Sequence, residues 1–163
     1  MNYLIILILI AVVVGPIFGL MPSSKQKRQM KLRDKAMGLG FQVKICQLPQ
    51  LHRAKIRKED TVEGVAYRFP RNTKNQAGRA VVSEQQILCL RDGTDQDKPK
   101  NPSPFYRCLE EALDVLPSDI VAVELTPLWY GVYWNERGSE EDILIIKSQL
   151  EMLDKRISQF DSL

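Results

Sequence analysis

Hydrophobic positions form one continuous run at the start of the chain and short periodic patterns after it. Leu4 to Val14 is unbroken, and the 19 residues from Tyr3 to Met21 carry no charge. At about 1.5 Å per residue they would span roughly 28 Å, close to a hydrocarbon core. The pattern predicts a transmembrane helix within an anchor of residues 1–22, with a bend near Pro16. A cleaved signal peptide, the alternative, needs a basic stretch before the run, and none precedes it.

Basic side chains are concentrated directly after this run. Asp34 is the one acid among them, and only the amino terminus is basic before the run. The positive-inside rule then predicts an N-terminus outside and a C-terminal domain in the cytoplasm of a bacterial inner membrane. Ser23 and Ser24 can cap a basic juxtamembrane helix over residues 23–40. The residues expected to contact the membrane surface are Lys25, Lys27, Arg28, Lys31, Arg33 and Lys35.

Residues 41–163 alternate strand-like and helix-like patterns, which predicts one further domain in the cytoplasm. Alternation of apolar and polar positions favours strands, and the mixed pattern of 80–90 favours a strand with a bend. The predicted strands are 41–48, 64–69, 80–90, 120–125 and 129–134. The predicted fold class is α+β, in which an N-terminal transmembrane helix precedes a small domain with one mainly antiparallel sheet and two packed helices.

Two helices are predicted in this domain, and residues 50–63 fit a short helix or a loop. The first helix covers 105–116, with Ser103 as its cap. The second begins at Ser139 and Asp142, which resemble a capping box. Its apolar residues recur at steps of three and four, so they could pair with a second chain or lie on the domain's own sheet. The candidate partner-helix seam is Ile143, Ile146, Leu150, Leu153, Ile157 and Phe160.

The net charge of +3 hides a strong asymmetry along the chain. Residues 22–79 carry 15 basic and 4 acidic side chains, whereas residues 84–163 carry 8 basic and 16 acidic ones. Anionic headgroups attract basic residues near the membrane surface by about 1 kcal/mol each. The basic half therefore allows an alternative function, a membrane-surface module that binds anionic lipid.

Histidine and cysteine residues offer little for catalysis or metal binding. His52 is the single histidine and has basic neighbours, so it is expected at the surface. Cys46, Cys89 and Cys108 are widely spaced and lack a CxxC pair, which indicates buried, reduced thiols and gives no zinc pattern.

Other motifs are also absent from the sequence. Asp92, Asp95 and Asp97 lack the further ligands of a calcium loop and predict a solvated turn. No phosphate-binding or nucleophile-elbow motif occurs. The aromatic strand 129–134 has acidic neighbours, which argues against a nucleic-acid partner. We therefore predict no catalytic, cofactor-binding or metal-binding residue.

The end of the apolar run and its basic flank read Phe18-Gly-Leu-Met-Pro-Ser-Ser-Lys-Gln-Lys-Arg28, and a basic helix and the strand from Phe41 follow them. This part of the chain resembles the YajC family. Members of that family are small accessory subunits of the bacterial Sec preprotein translocase. The resemblance covers about 45 of the 163 residues. The whole chain also resembles uncharacterised proteobacterial single-pass membrane proteins. Because that family is not enzymatic, the resemblance implies no catalytic residues.

The expected function is a non-enzymatic accessory or interaction subunit of an inner-membrane complex, such as the preprotein translocase. The expected partners are the lipid bilayer, its anionic headgroups, and either another subunit of the complex or a second copy bound through the C-terminal helix.

Overall fold

The computed structural model describes residues 3, 5–10, 22–71 and 86–160, with the side chain of Phe160 excepted. The chain divides into two compact units, Met1–Lys31 and Leu32–Leu163. The boundary falls inside a helix, α1 (Ser24–Gly38). The predicted domain limits at residues 22 and 40 stay predictions.

The predicted single-pass transmembrane architecture is wrong. Residues 5–10 of the apolar run are helical. Across the described residues, no helix has both the length and the apolar character needed to cross a membrane. Leu4 and residues 11–21 of the run lie outside the described residues. The predicted fold class is corrected accordingly, and the inner-membrane location is not retained.

The start of α1 has a local cause in the first unit. The side-chain Oγ of Ser23 accepts a hydrogen bond from the amide of Gln26 at 3.3 Å, and Gln26 Oε1 accepts one from the amide of Ser23 at 2.8 Å. This reciprocal arrangement is a capping box, which satisfies two amides at the helix start. The predicted cap at Ser23 is confirmed.

The second unit is built on a five-stranded antiparallel sheet. Its spatial order is β1-β2-β5-β4-β3, and β4 and β5 form the predicted hairpin. Of the predicted strand 80–90, residues 87–90 form β3, whereas 80–85 lie outside the described residues. The strands are β1 (Gln42–Gln47), β2 (Glu63–Pro70), β3 (Ile87–Leu90), β4 (Ile120–Leu125) and β5 (Trp129–Trp134).

Three more helices belong to this unit: α2 (His52–Ile56), α3 (Pro104–Val115) and α4 (Glu140–Phe160). Both predicted caps are confirmed. Ser103 Oγ accepts from the amide of Tyr106 at 3.3 Å, and Asp142 Oδ2 accepts from the amide of Ser139 at 2.6 Å. The guanidinium of Arg91 donates to the carbonyls of Leu113, Leu116 and Pro117, and so satisfies acceptors at the end of α3.

The core lies on one face of the sheet. Tyr67, Val132 and Val123 are neighbours across β2, β5 and β4, and all three are buried. Leu32 and Ala36, in the last turns of α1, are also fully buried in this core. This end of α1 therefore packs inside the domain, whereas the basic residues of the helix had predicted a position at the membrane surface.

Arg33, Tyr67 and Glu136 form a polar cluster beside this core. Glu136 Oε1 accepts from Arg33 Nε at 2.8 Å and from the Tyr67 hydroxyl at 2.6 Å, while its Oε2 accepts from Arg33 Nη2 at 2.6 Å. Burial, then the hydrogen bond to Glu136, raises the pKa of Tyr67, so its hydroxyl stays a neutral donor. The fork of Arg33 matches the carboxylate in a bidentate pair.

Candidate functional site: a cleft along the open edge of β3

β3 is an edge strand, and half of its backbone groups point away from the sheet. The amide of Arg91 donates to the carbonyl of Val121 at 2.9 Å, which makes this a hydrogen-bonded pair. Hydrogen-bonded and non-bonded pairs alternate in an antiparallel ladder. Cys89 is therefore bonded to β4, while the N–H and C=O groups of Leu88 and the N–H of Leu90 face outward. The carbonyl of Leu90 accepts a hydrogen bond from the amide of Gly93 at 3.3 Å. Within the described residues, no strand pairs with β3 on that side.

The outward edge of β3 forms the floor of a cleft of about 1060 Å³. Ile87, Leu88 and Leu90 all line it. Side chains of consecutive strand residues point to opposite faces, so a cleft that touches Ile87 and Leu88 runs along the strand edge. One wall is the segment that follows β1, with α2. The other wall is the loop of residues 96–103, with the start of α3.

A hydrogen bond between His52 and Asp97 joins the two walls of the cleft. Asp97 Oδ1 accepts from the backbone amide of His52 at 2.6 Å. Its Oδ2 accepts from the amide and hydroxyl of Thr94 at 3.0 and 2.9 Å. Desolvation raises the pKa of Asp97, but the hydrogen bonds from His52 and Thr94 outweigh it and hold the pKa below its usual value. Asp97 was predicted as part of a solvated turn. Its carboxylate instead links the loop of residues 96–103 to the start of α2.

Leu48 shapes the cleft because a glycine lies beneath it. A Cβ atom placed on Gly64 would lie 2.4 Å from Leu48 Cδ2 and 2.6 Å from its Cγ. Leu48 is only 7% exposed and lines the cleft. The absence of a side chain at Gly64 therefore lets Leu48 lie flat on β2.

Replacing Gly64 with alanine is expected to displace Leu48 and to lower the free energy of unfolding by about 1–2 kcal/mol, the usual cost of overpacking. Urea denaturation followed by circular dichroism measures this change. Gly38→Ala is the matched control, because nothing lies within 4 Å of a Cβ at that position. Equal stability of the two variants would contradict the close seating of Leu48.

The aromatic residues on the sheet face opposite the core contact the chain's own side chains. The guanidinium carbon of Arg68 lies 4.7 Å from the centre of the Trp129 ring. The hydroxyl of Tyr133 donates to Glu124 Oε2 at 3.0 Å, and Gln86 donates to Oε1 of the same carboxylate at 2.7 Å. Burial, then the charge of Glu124, raises the pKa of Tyr133 to about 12.

The predicted membrane-surface residues have different environments. Lys25, Lys27, Arg28 and Lys31 are exposed and belong to the first unit. Arg33 and Lys35 belong to the second unit, where Arg33 binds Glu136. The ammonium of Lys35 lies 3.3 Å from the carboxylate of Glu140. The last two residues of the predicted set are therefore held within their own unit.

The predicted partner-helix seam lies in the core of the second unit. Five of its residues are at most 2% exposed and belong to the same hydrophobic cluster as the sheet. They are Ile143, Ile146, Leu150, Leu153 and Ile157. Phe160 is the last residue of α4, and its side chain lies outside the described residues. The exposed apolar side chains of α4 include Leu144 and Met152.

The sequence did not reveal the cleft. The pattern of residues 87–90 indicates a strand, but not whether a second neighbour covers its outer edge. The predicted strand 80–90 gave no such signal, and only the structure shows that β3 has 4 residues, a length common among edge strands. Among the described residues, no group of three or more His, Cys, Asp or Glu side chains is placed to hold a metal ion.

Comparison with known proteins gave no match: no protein-family model, curated protein or solved structure is similar to this chain. The resemblance to the YajC family is therefore untested, and nothing supports a link to the translocase. Function has to be argued from the geometry of the cleft.

Proposed function

We propose that this protein is a non-enzymatic interaction module that binds an extended polypeptide segment by adding it as a strand beside β3. The observation that carries the proposal is the position of the outward N–H and C=O groups of Leu88, and the outward N–H of Leu90, at the floor of the cleft. An extended peptide offers donors and acceptors with matching spacing, so strand addition satisfies both backbones.

The walls of the cleft suit a single added strand. An exposed strand edge normally invites pairing with other sheets and leads to aggregation. Here α2 and residues 96–103 flank the edge as two walls. Leu48, Leu88 and Leu90 supply apolar surface for alternate guest side chains, and Gln47 and Gln50 supply amide groups.

The groups that line the cleft favour binding over catalysis. They are mainly amides, hydroxyls and apolar side chains. A general base must reach the proton that it removes. The carboxylate of Asp97 instead accepts three hydrogen bonds from His52 and Thr94. His52, the single histidine, also lines the cleft, and its side chain makes no hydrogen bond to another residue of the described chain. The engagement of Asp97 supports the proposal of an interaction module.

Proline at position 88 is the sharpest test, because it removes an outward N–H and leaves the bonds from β3 to β4 intact. A random dodecapeptide library displayed on phage would be selected against the full chain, and the enriched peptides synthesised. We expect Leu88→Pro to weaken their binding at least tenfold, measured by fluorescence anisotropy.

Ile45→Pro is the matched control. In β1 the amide of Leu48 bonds to Val62, so by alternation the N–H of Ile45 also points outward, at the other edge of the sheet. This variant should bind the peptides normally. Bound peptide should also slow hydrogen exchange at the amides of Leu88 and Leu90. No enriched peptide, or equal binding by Leu88→Pro and wild type, would refute the proposal.

A further inference from the structure

We infer that the segment bound beside β3 is acidic, an inference that rests on the proposed strand addition. The wall formed by α2 and the turn after it carries four exposed basic side chains. They are Arg53, Lys55, Arg57 and Lys58. Of these, Lys55 lines the cleft itself. An extended guest would therefore run past a basic wall.

Of the two lysines that line the cleft, Lys55 is the one left open to a guest. Lys98 is bound to the carboxylate of Glu110 at 2.6 Å. Arg57 lies 3.7 Å from the carboxylate of Glu59. The charge of Asp97 is stabilised by its three hydrogen bonds. Within the described part of the chain, Lys55 has no ion pair, so a guest carboxylate would supply one.

A peptide fits this basic cleft better than a nucleic acid does. Single-stranded nucleic acids bind by stacking bases on exposed aromatic rings. Tyr106, which lines the cleft, is 3% exposed, and Phe105 packs against the core. The outward backbone of β3 instead offers alternating donors and acceptors, which a peptide backbone can pair along its length.

The test uses three octapeptides in which valine alternates with glutamate, serine or lysine, titrated against the full chain. We expect the glutamate peptide to bind about fivefold more tightly than the serine peptide, the size of one exposed ion pair. Lys55→Glu should abolish this preference, and added salt should weaken it. Lys155→Glu, an equal charge change on α4, should leave it unchanged.

The outcomes separate the two proposals. If all three peptides bind equally, and Leu88→Pro weakens their binding while Lys55→Glu leaves it unchanged, strand addition stands and the acidic preference is overturned. If the glutamate peptide binds equally to Leu88→Pro, strand addition itself fails. Tighter binding of an octauridylate, insensitive to Leu88→Pro, would overturn both in favour of a nucleic acid.

Discussion

Glu136→Gln is expected to lower the free energy of unfolding by about 3 kcal/mol, because it breaks a buried ion pair from one side. The Glu136 side chain is 2% exposed and binds Arg33 through both oxygens. Loss of its charge leaves the guanidinium paired only with a neutral amide, and the Tyr67 hydroxyl loses a charged acceptor. Arg33 is 26% exposed, so water offsets part of the loss. Urea denaturation of the full chain measures the change.

A second ion pair of α1 provides the control. Lys35 joins α1 to Glu140 at the start of α4, whereas Glu136 lies before that helix, and the side chains of Lys35 and Glu140 are 32% and 51% exposed. Exposed pairs typically contribute below about 1 kcal/mol, so Glu140→Gln should have a correspondingly small effect. If both glutamine variants lost the same stability, the buried cluster would not be what holds the end of α1 on the sheet.

Local patterns in the sequence were sufficient to predict helix caps and strand faces, because these depend on residues that are close together in the chain. Ser103 before a helical pattern, and Ser139 three residues before Asp142, both act as caps because each bond closes within one turn. The pattern of 129–134 likewise predicted a strand, and Tyr130 and Trp134, which alternation places on one face, are both buried in the core.

Contacts between distant residues could not be predicted in the same way. Arg33 appeared as one of several surface cations, yet its partner Glu136 lies 103 residues away. The edge position of β3 is also non-local, since it depends on β5 and β4 lying between β2 and β3. The order of strands in a sheet is not encoded in the alternation of any single strand.

The repeat in α4 shows a different limit of sequence reasoning. Apolar steps of three and four place residues on one side of a helix, whether that side meets a second helix or a sheet. Only the surroundings distinguish the two. Here Leu150 is completely buried within the chain's own core, next to α3 and the sheet.

Leu150→Ala is therefore expected to act on the stability of the folded chain. Removing a fully buried leucine leaves a cavity and should lower the free energy of unfolding by about 2–5 kcal/mol. The midpoint of urea denaturation should fall, and it should do so equally at low and high protein concentration. That independence follows because Leu150 packs inside one chain, whereas a residue between chains would couple stability to concentration.

Leu144→Ala removes the same atoms from the same helix and serves as the matched control. Leu144 is 48% exposed, so its loss should change the free energy of unfolding by no more than about 0.5 kcal/mol. Light scattering of both variants would detect any change of mass. Suppose instead that Leu150→Ala halved the mass of an oligomer and left the free energy of unfolding of the single chain unaltered. The repeat would then be an interface between chains, because truncation of a core leucine always lowers that free energy.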